Sequence, residues 1–346
     1  YLTADEQEVT VEYNETAEVA FENIEKTGEI KVTKTTVGNI NVSGITFNLR
    51  GTSDSGRDID IPAVTDENGV AIFSEIPIGT YTIYEDEKTV PTAYLVADPQ
   101  NVTVTYAETK EVPIENKEKT GSITVHKTTE GQKNIEGIKF YLRGTSDSGR
   151  AIDIPATTDK DGIAKFDGVP IGTYMVIEDE ETVPYGYLVA DEKEVKVEYA
   201  QTIDETILNN EQTGTVKVHK KTADMTNVEG IRFILSGISD TGREIRIEAT
   251  TDKDGLAKFE GVPVGTYTIT EDGSTVPYGY LVADSKQVTV AYAQTVDTDM
   301  VNEKAPDTPN TGVTDNDSDG SKALCSVAII LAGAAFFMFS RKKKGN

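Results

Sequence analysis

Cysteine is nearly absent from this chain of 346 residues. The single thiol, Cys325, lies in an apolar stretch close to the C-terminus, so no disulfide can staple the rest. Small extracellular β domains generally need some other staple. Basic residues are scarce as well: 33 Lys and Arg stand against 59 Asp and Glu, a net charge of −26. That balance excludes nucleic acid as a partner, because a polyanion is repelled over the whole surface. The only two histidines, His126 and His219, occupy equivalent places in a repeat with outward strand parity, and Thr33 stands there in the first copy. They are read as surface residues. No Ser/His/Asp, Cys/His or metal-ligating constellation is present, so no enzyme acting on external substrates, no metal and no cofactor are expected. Long helical patterns are missing except near the end.

What is present is repetition. The sequence matches itself at a period of 93 without an insertion. Gly28, Gly121 and Gly214 open three copies, assigned to 28–116, 121–209 and 214–302. LRGTSDSGR at 49–57 returns at 142–150 and as LSGISDTGR at 235–243; TDENG at 65–69 returns as TDKDG at 158–162 and 251–255. YLTADEQEVTVEY at 1–13 matches YLVADPQNVTVTY at 94–106, so residues 1–23 read as the tail of a truncated copy. With no initiator methionine or signal peptide, the chain is expected to be a piece of a longer secreted protein.

Each copy reads as short strands of alternating polarity between turn signals: GEIKVTKTT, GITFNLRG, IDIPAVT, VAIFSEIP, GTYTIYED, YLVAD, NVTVTY and KEVPIEN. The spacing predicts an all-β chain of tandem, Ig-like two-sheet antiparallel sandwiches of about seven strands. The acidic DENG and DKDG turns are read as hairpin turns. The remaining spacing of a calcium loop, with its distal glutamate, is missing.

Alternation also sends polar groups inward. Ile30, Val32 and Lys34 share one parity, and so do Tyr81, Ile83 and Glu85, and Val112, Ile114 and Asn116. The period yields three trios: Lys34, Glu85, Asn116; Lys127, Glu178, Asn209; Lys220, Glu271, Asn302. An unpaired buried ammonium is too costly to be accidental. Desolvation lowers a lysine's pKa and raises a glutamate's, which permits a neutral amine beside a neutral acid. The amine can then attack the asparagine carbonyl carbon, while the protonated glutamate polarises the oxygen and passes protons to the departing ammonia. The product is a lysine–asparagine amide made in a single turnover without a cofactor.

GEIKVTK, GTYTIYE with VPTAYL, and the closing EN of the first copy resemble the collagen-adhesin B-type, SpaA-like prealbumin-fold repeats of Gram-positive surface proteins. So do GSITVHK, GTYMVIE, VPYGYL and LN in the second copy, and GTVKVHK, GTYTITE, VPYGYL and VN in the third. The likeness covers nearly all of residues 1–303. It implies a prealbumin-like sandwich in which lysine and asparagine form an intramolecular isopeptide bond assisted by the glutamate. The family's Ala-Pro after the glutamate is Val-Pro here, and Thr92-Ala93 replaces Tyr-Gly in the first copy.

Beyond Asn302 a polar Pro/Asp/Ser linker, 303–322, leads to ALCSVAIILAGAAFFMFS at 323–340 and a basic tail at 341–346. Eighteen mostly apolar residues make about 27 Å of helix, enough for a bilayer core, with the basic cluster on the cytoplasmic side. A C-terminal transmembrane helix is therefore expected. The order of polar motif, apolar span and basic tail resembles a cell-wall sorting signal, with Thr308-Pro309-Asn310-Thr311-Gly312 standing for LPxTG and Thr308 replacing the usual leucine. That resemblance implies a sortase that cleaves between Thr311 and Gly312 and passes the threonine carbonyl to the amine of a peptidoglycan precursor or of a pilin. The protein would thus be secreted and wall-anchored, with a membrane-spanning precursor. The leading expectation is a structural stalk carrying a head that binds host matrix or glycan. The alternatives are repeats that bind such ligands themselves, or a polymerised pilin subunit.

Overall fold

The computed structural model describes residues 1–133, 135–226 and 228–306. The sorting motif at 308–312, the expected span at 323–340 and the basic tail at 341–346 lie outside the described residues. Among the described residues no helix is long and apolar enough to cross a membrane.

The chain is all-β. Copy 1 contributes β1 (Thr27–Thr36), β2 (Thr46–Thr52), β3 (Asp58–Val64), β4 (Val70–Pro77), β5 (Gly79–Glu85), β6 (Gln100–Val104) and β7 (Thr109–Asn116). These form two sheets, ordered β4-β1-β7 and β3-β2-β5-β6. Copies 2 and 3 repeat both sheets with β8–β14, from Thr120–Thr129 to Thr202–Asn209, and β15–β21, from Thr213–Thr222 to Thr295–Asn302. The expected alternation holds along β1, where Ile30, Val32, Lys34 and Thr36 are buried and the residues between them are not. Ile30, Val32, Phe47, Leu49, Phe73, Tyr81 and Ile83 form the heart of one apolar cluster between the sheets. Burial of each such side chain stabilises the fold by roughly 1.5–3 kcal/mol.

Two expectations need correction. The sandwich is not wholly antiparallel, because β1 and β7 pair in parallel, with Lys34 opposite Ile114 and Thr36 opposite Asn116. Side-chain parity fixes the face a residue takes but says nothing about strand direction. The YLVAD segment, moreover, is not a strand; its pairing is a single bridge between Tyr94 and Glu118. Its backbone groups are engaged by side chains of the site described below.

The glycine opening each copy lets two chain segments meet. A Cβ on Gly28 would fall 2.3 Å from the Thr105 carbonyl oxygen, and on Gly121 or Gly214 it would fall 2.5 or 2.6 Å from the equivalent oxygens. In the acidic turns, Asp66 accepts from the N–H groups of Asn68 and Val70 at 2.9 and 2.8 Å, and Asp159 and Asp252 do the same in their copies. These carboxylates are occupied in shaping hairpins. Residues 1–24 contain no strand. They are tied by Leu2 N–H donating to Ile24 O and by Gln7 donating to Ala20 O.

Candidate functional site

All three trios are assembled. Lysine and asparagine come from the parallel pair β1/β7 or its equivalent, whereas the glutamate ends β5 in the facing sheet, so each trio bridges the sandwich. Each lysine and glutamate side chain is at most 1% exposed. Lys34 Nζ lies 3.9 Å from Glu85 Oε1; the matching distances are 3.4 Å for Lys127–Glu178 and 3.1 Å for Lys220–Glu271. Each amine also donates to the carbonyl two residues before its asparagine: Ile114 O, Ile207 O and Met300 O, at 3.1–3.3 Å. Burial pushes the Lys34 amine down to about 8, against the opposing pull of Glu85 and then Glu115. Burial likewise lowers Lys127 and Lys220 against Glu178 and Glu271. Burial thus moves all three amines towards the neutral, nucleophilic form.

The asparagines are held by their nitrogens. Asn116 Nδ2 donates to Glu85 Oε2 at 2.8 Å and to Leu95 O at 2.7 Å. Asn209 and Asn302 make the same two bonds at 2.6–2.8 Å, to Glu178 and Leu188 O and to Glu271 and Leu281 O. Each glutamate Oε2 also accepts a backbone N–H, from Ala97, Ala190 or Ala283. Glutamate Oε1 and asparagine Oδ1 are buried without a hydrogen bond in every copy.

That pattern departs from the expected role in one respect. The glutamate sits at the amide nitrogen and not at the amide oxygen. Turning the amide over would set Oδ1 against the Leu95 carbonyl, oxygen facing oxygen, so the observed orientation is fixed by its neighbours. One carboxylate therefore spans two nitrogens, with Oε1 towards the lysine and Oε2 towards the asparagine.

Sequence reasoning missed the cradle. Leu95 O and Ala97 N–H, with their equivalents, are backbone groups without a residue-type signature; their regular placement in the YLVAD segment was the available signal. His126 and His219 are half-exposed and pair with Asp204 at 3.2 Å and Asp297 at 2.8 Å, far from a metal-site arrangement.

A family model described as the SpaA prealbumin-like fold domain matches residues 28–118, 121–212 and 214–304. No curated protein matches the sequence. Among solved structures, the Bacillus anthracis TIE protein is 20% identical with a TM-score of 0.58, over 80% of this chain and 51% of that one. The chain thus spans about half the length of that protein. BcpA, the major pilin subunit of Bacillus cereus, is 18% identical over 81% of this chain and all of its own, with a TM-score of 0.39. The shaft pilin SpaA of Lactobacillus rhamnosus GG is 16% identical over 55% and 100%, with a TM-score of 0.26. The TIE likeness extends to the fold; the two pilin likenesses are too slight to argue from. With the family model covering three successive copies and most of the chain, the protein belongs to the SpaA family of prealbumin-like fold domains, three of them in tandem.

Proposed function

We propose that the protein is the structural stalk of a cell-wall-anchored surface protein, each repeat locked by a Lys–Asn isopeptide bond: Lys34–Asn116, Lys127–Asn209 and Lys220–Asn302. The observation that supports this best is the one carboxylate lying between a buried amine and a buried carboxamide in every copy. The neutral amine attacks the asparagine Cγ, and a C–N bond forms. The surplus proton on the lysine nitrogen passes to glutamate Oε1. A proton from the carboxyl group is delivered through the Oε2 side to Nδ2, which leaves as ammonia. Atoms balance without water or cofactor, and the glutamate is restored. Glu85, Glu178 and Glu271 are the catalytic residues; Leu95 O and Ala97 N–H, with their counterparts, are positioning groups.

Parallel pairing gives the bond its mechanical meaning. Tension entering along β1 reaches Lys34, crosses to Asn116 at the end of β7 and leaves towards copy 2, so residues 35–115 between them are bypassed. Outside the repeats, the sorting signal reading of Thr308–Gly312 supports anchoring by a sortase to a peptidoglycan precursor or to a pilin amine. The near-identity of the copies favours a stalk over three separate binding sites for host matrix or glycan. A polymerised pilin is the second reading, and covalent ladders of wall extracts on denaturing gels would favour it.

Single-molecule stretching of the chain tests the lock. A locked stalk releases no repeat. Steps of roughly 280 Å, the extended length of about 80 residues, would overturn the proposal.

A further inference from the structure

The segments that join copy 1 to copy 2 and copy 2 to copy 3 each carry a glutamate two residues beyond the asparagine, and its side chain is buried against the next copy. Glu118 follows Asn116 with its side chain 6% exposed, and Glu211 follows Asn209 with its side chain 0% exposed. Carboxylates so buried require partners. Glu118 receives Arg150 Nη2 at 2.8 Å and the Ser148 hydroxyl at 2.5 Å, both from copy 2. Glu211 receives Arg243 Nε at 2.9 Å and the Thr241 hydroxyl, both from copy 3. Glu25, ahead of copy 1, meets Arg57 at 3.1 Å and the Ser55 hydroxyl.

The receiving site is built by its own copy. The DSG turn folds back through Ser146 N–H to Arg150 O and Arg150 N–H to Ser146 Oγ, and Ser146 and Ser148 share a bond of 2.7 Å. This accounts for the near-invariance of LRGTSDSGR across the copies: the stretch shapes a receptor for the preceding copy. The glutamate's own backbone is gripped from the other side. Lys117 O accepts from Leu95 N–H and Lys119 N–H donates to Ala93 O, while Lys119 O accepts from Ile171 N–H of copy 2. Tyr94, Ala93 and Val90 pack against Ile171 across the same joint. After copy 3 the equivalent position is Lys304, which pairs with Asp224 at 3.5 Å and has the wrong charge for an arginine socket.

We propose that the Ser/Thr–Arg socket on the DSG turn of each copy is a docking site for the exit glutamate of the preceding SpaA-type repeat, and that this latch fixes the angle between consecutive repeats. The latch does not depend on isopeptide formation. The carboxylate is the buried partner, while the arginine side chains stay 38% and 39% exposed, so removing the arginine leaves a desolvated carboxylate without its ion partner.

Spin labels on Asn101→Cys and Glu194→Cys, in the full chain with Cys325→Ser, read the angle between copies 1 and 2 as a distance distribution. The native chain is expected to give one narrow distance. Glu118→Ala and Arg150→Ala each lose it, while Arg143→Ala, which removes the exposed pair with Asp153 and the contact over the Tyr141 ring within copy 2, keeps it. Melting curves of all variants confirm folding, and Arg150→Lys, which keeps the charge but not the fork, provides the same reading should an alanine variant not fold. An unchanged narrow distance in the latch variants, or an equal loss in Arg143→Ala, would overturn the proposal.

Discussion

Residues 1–24 and 94–117 carry the same pattern in two different contexts. Val102 and Val104 are each 2% exposed in β6, whereas their counterparts Val9 and Val11 are 50% and 69% exposed and belong to no strand. Asn116 is 1% exposed within the trio; Asn23 is on the surface. The difference is partners. β6 has β5 beside it and β7 has β1, and the leading segment is joined to neither kind of strand. Alternating polarity makes a segment fit to be a strand, and the sheet edge makes it one. The site inherits the same rule, since lysine, glutamate and asparagine meet only when both sheets close.

Hydrogen exchange should expose the largest contrast. Amides of 100–104 and 109–116 are expected to open only with the whole copy, at roughly 5–15 kcal/mol, while those of 1–24, in the isolated chain that starts at Tyr1, exchange almost freely. Equal protection would mean the leading segment has found partners of its own. The next largest effect comes from Asn116→Ala, which keeps the strands but removes the carboxamide that the proposed lock requires. By analogy with other covalent loops, copy 1 is expected to lose roughly 4–5 kcal/mol in denaturant unfolding, and a loss under about 1 kcal/mol would show that only a hydrogen bond had been removed.

Acidity sharpens the comparison further. Lys34 is lowered from 10.5 to about 8, so below that value the reactive neutral fraction grows with rising pH and above it levels off. Chain taken unfolded from inclusion bodies and refolded at stepped pH is therefore expected to lock copy 1 faster from pH 6 to 8. A rate that falls over this range would point to a protonated glutamate as the active form. The smallest effect concerns local preference alone. Glu75 holds a left-handed φ of 57° where the other copies place Gly168 and Gly261. Glu75→Gly is expected to stabilise copy 1 by up to about 1 kcal/mol, visible as a modest rise in its melting temperature.

Much of this was legible in the sequence because both signals were periodic. The 93-residue repeat set the copies, and alternation placed Lys34, Glu85 and Asn116 on inward faces. Strand direction left no such mark, so the parallel β1/β7 pair was not foreseen. The YLVAD stretch reads as a strand because Tyr94, Leu95, Val96 and Ala97 form a short apolar run, yet its Leu95 carbonyl and Ala97 N–H face the trio. The latch was missed because Glu118 and Arg150 lie 32 residues apart in different copies. Their constant offset, shared by Glu25 with Arg57 and Glu211 with Arg243, was the overlooked clue.

The most direct measurement is the intact mass of the folded chain. Three locks predict a deficit of three ammonias against the sequence, with Glu85→Ala restoring one of them and fragmentation joining the Lys34 and Asn116 peptides. A folded chain at its full sequence mass would contradict the account.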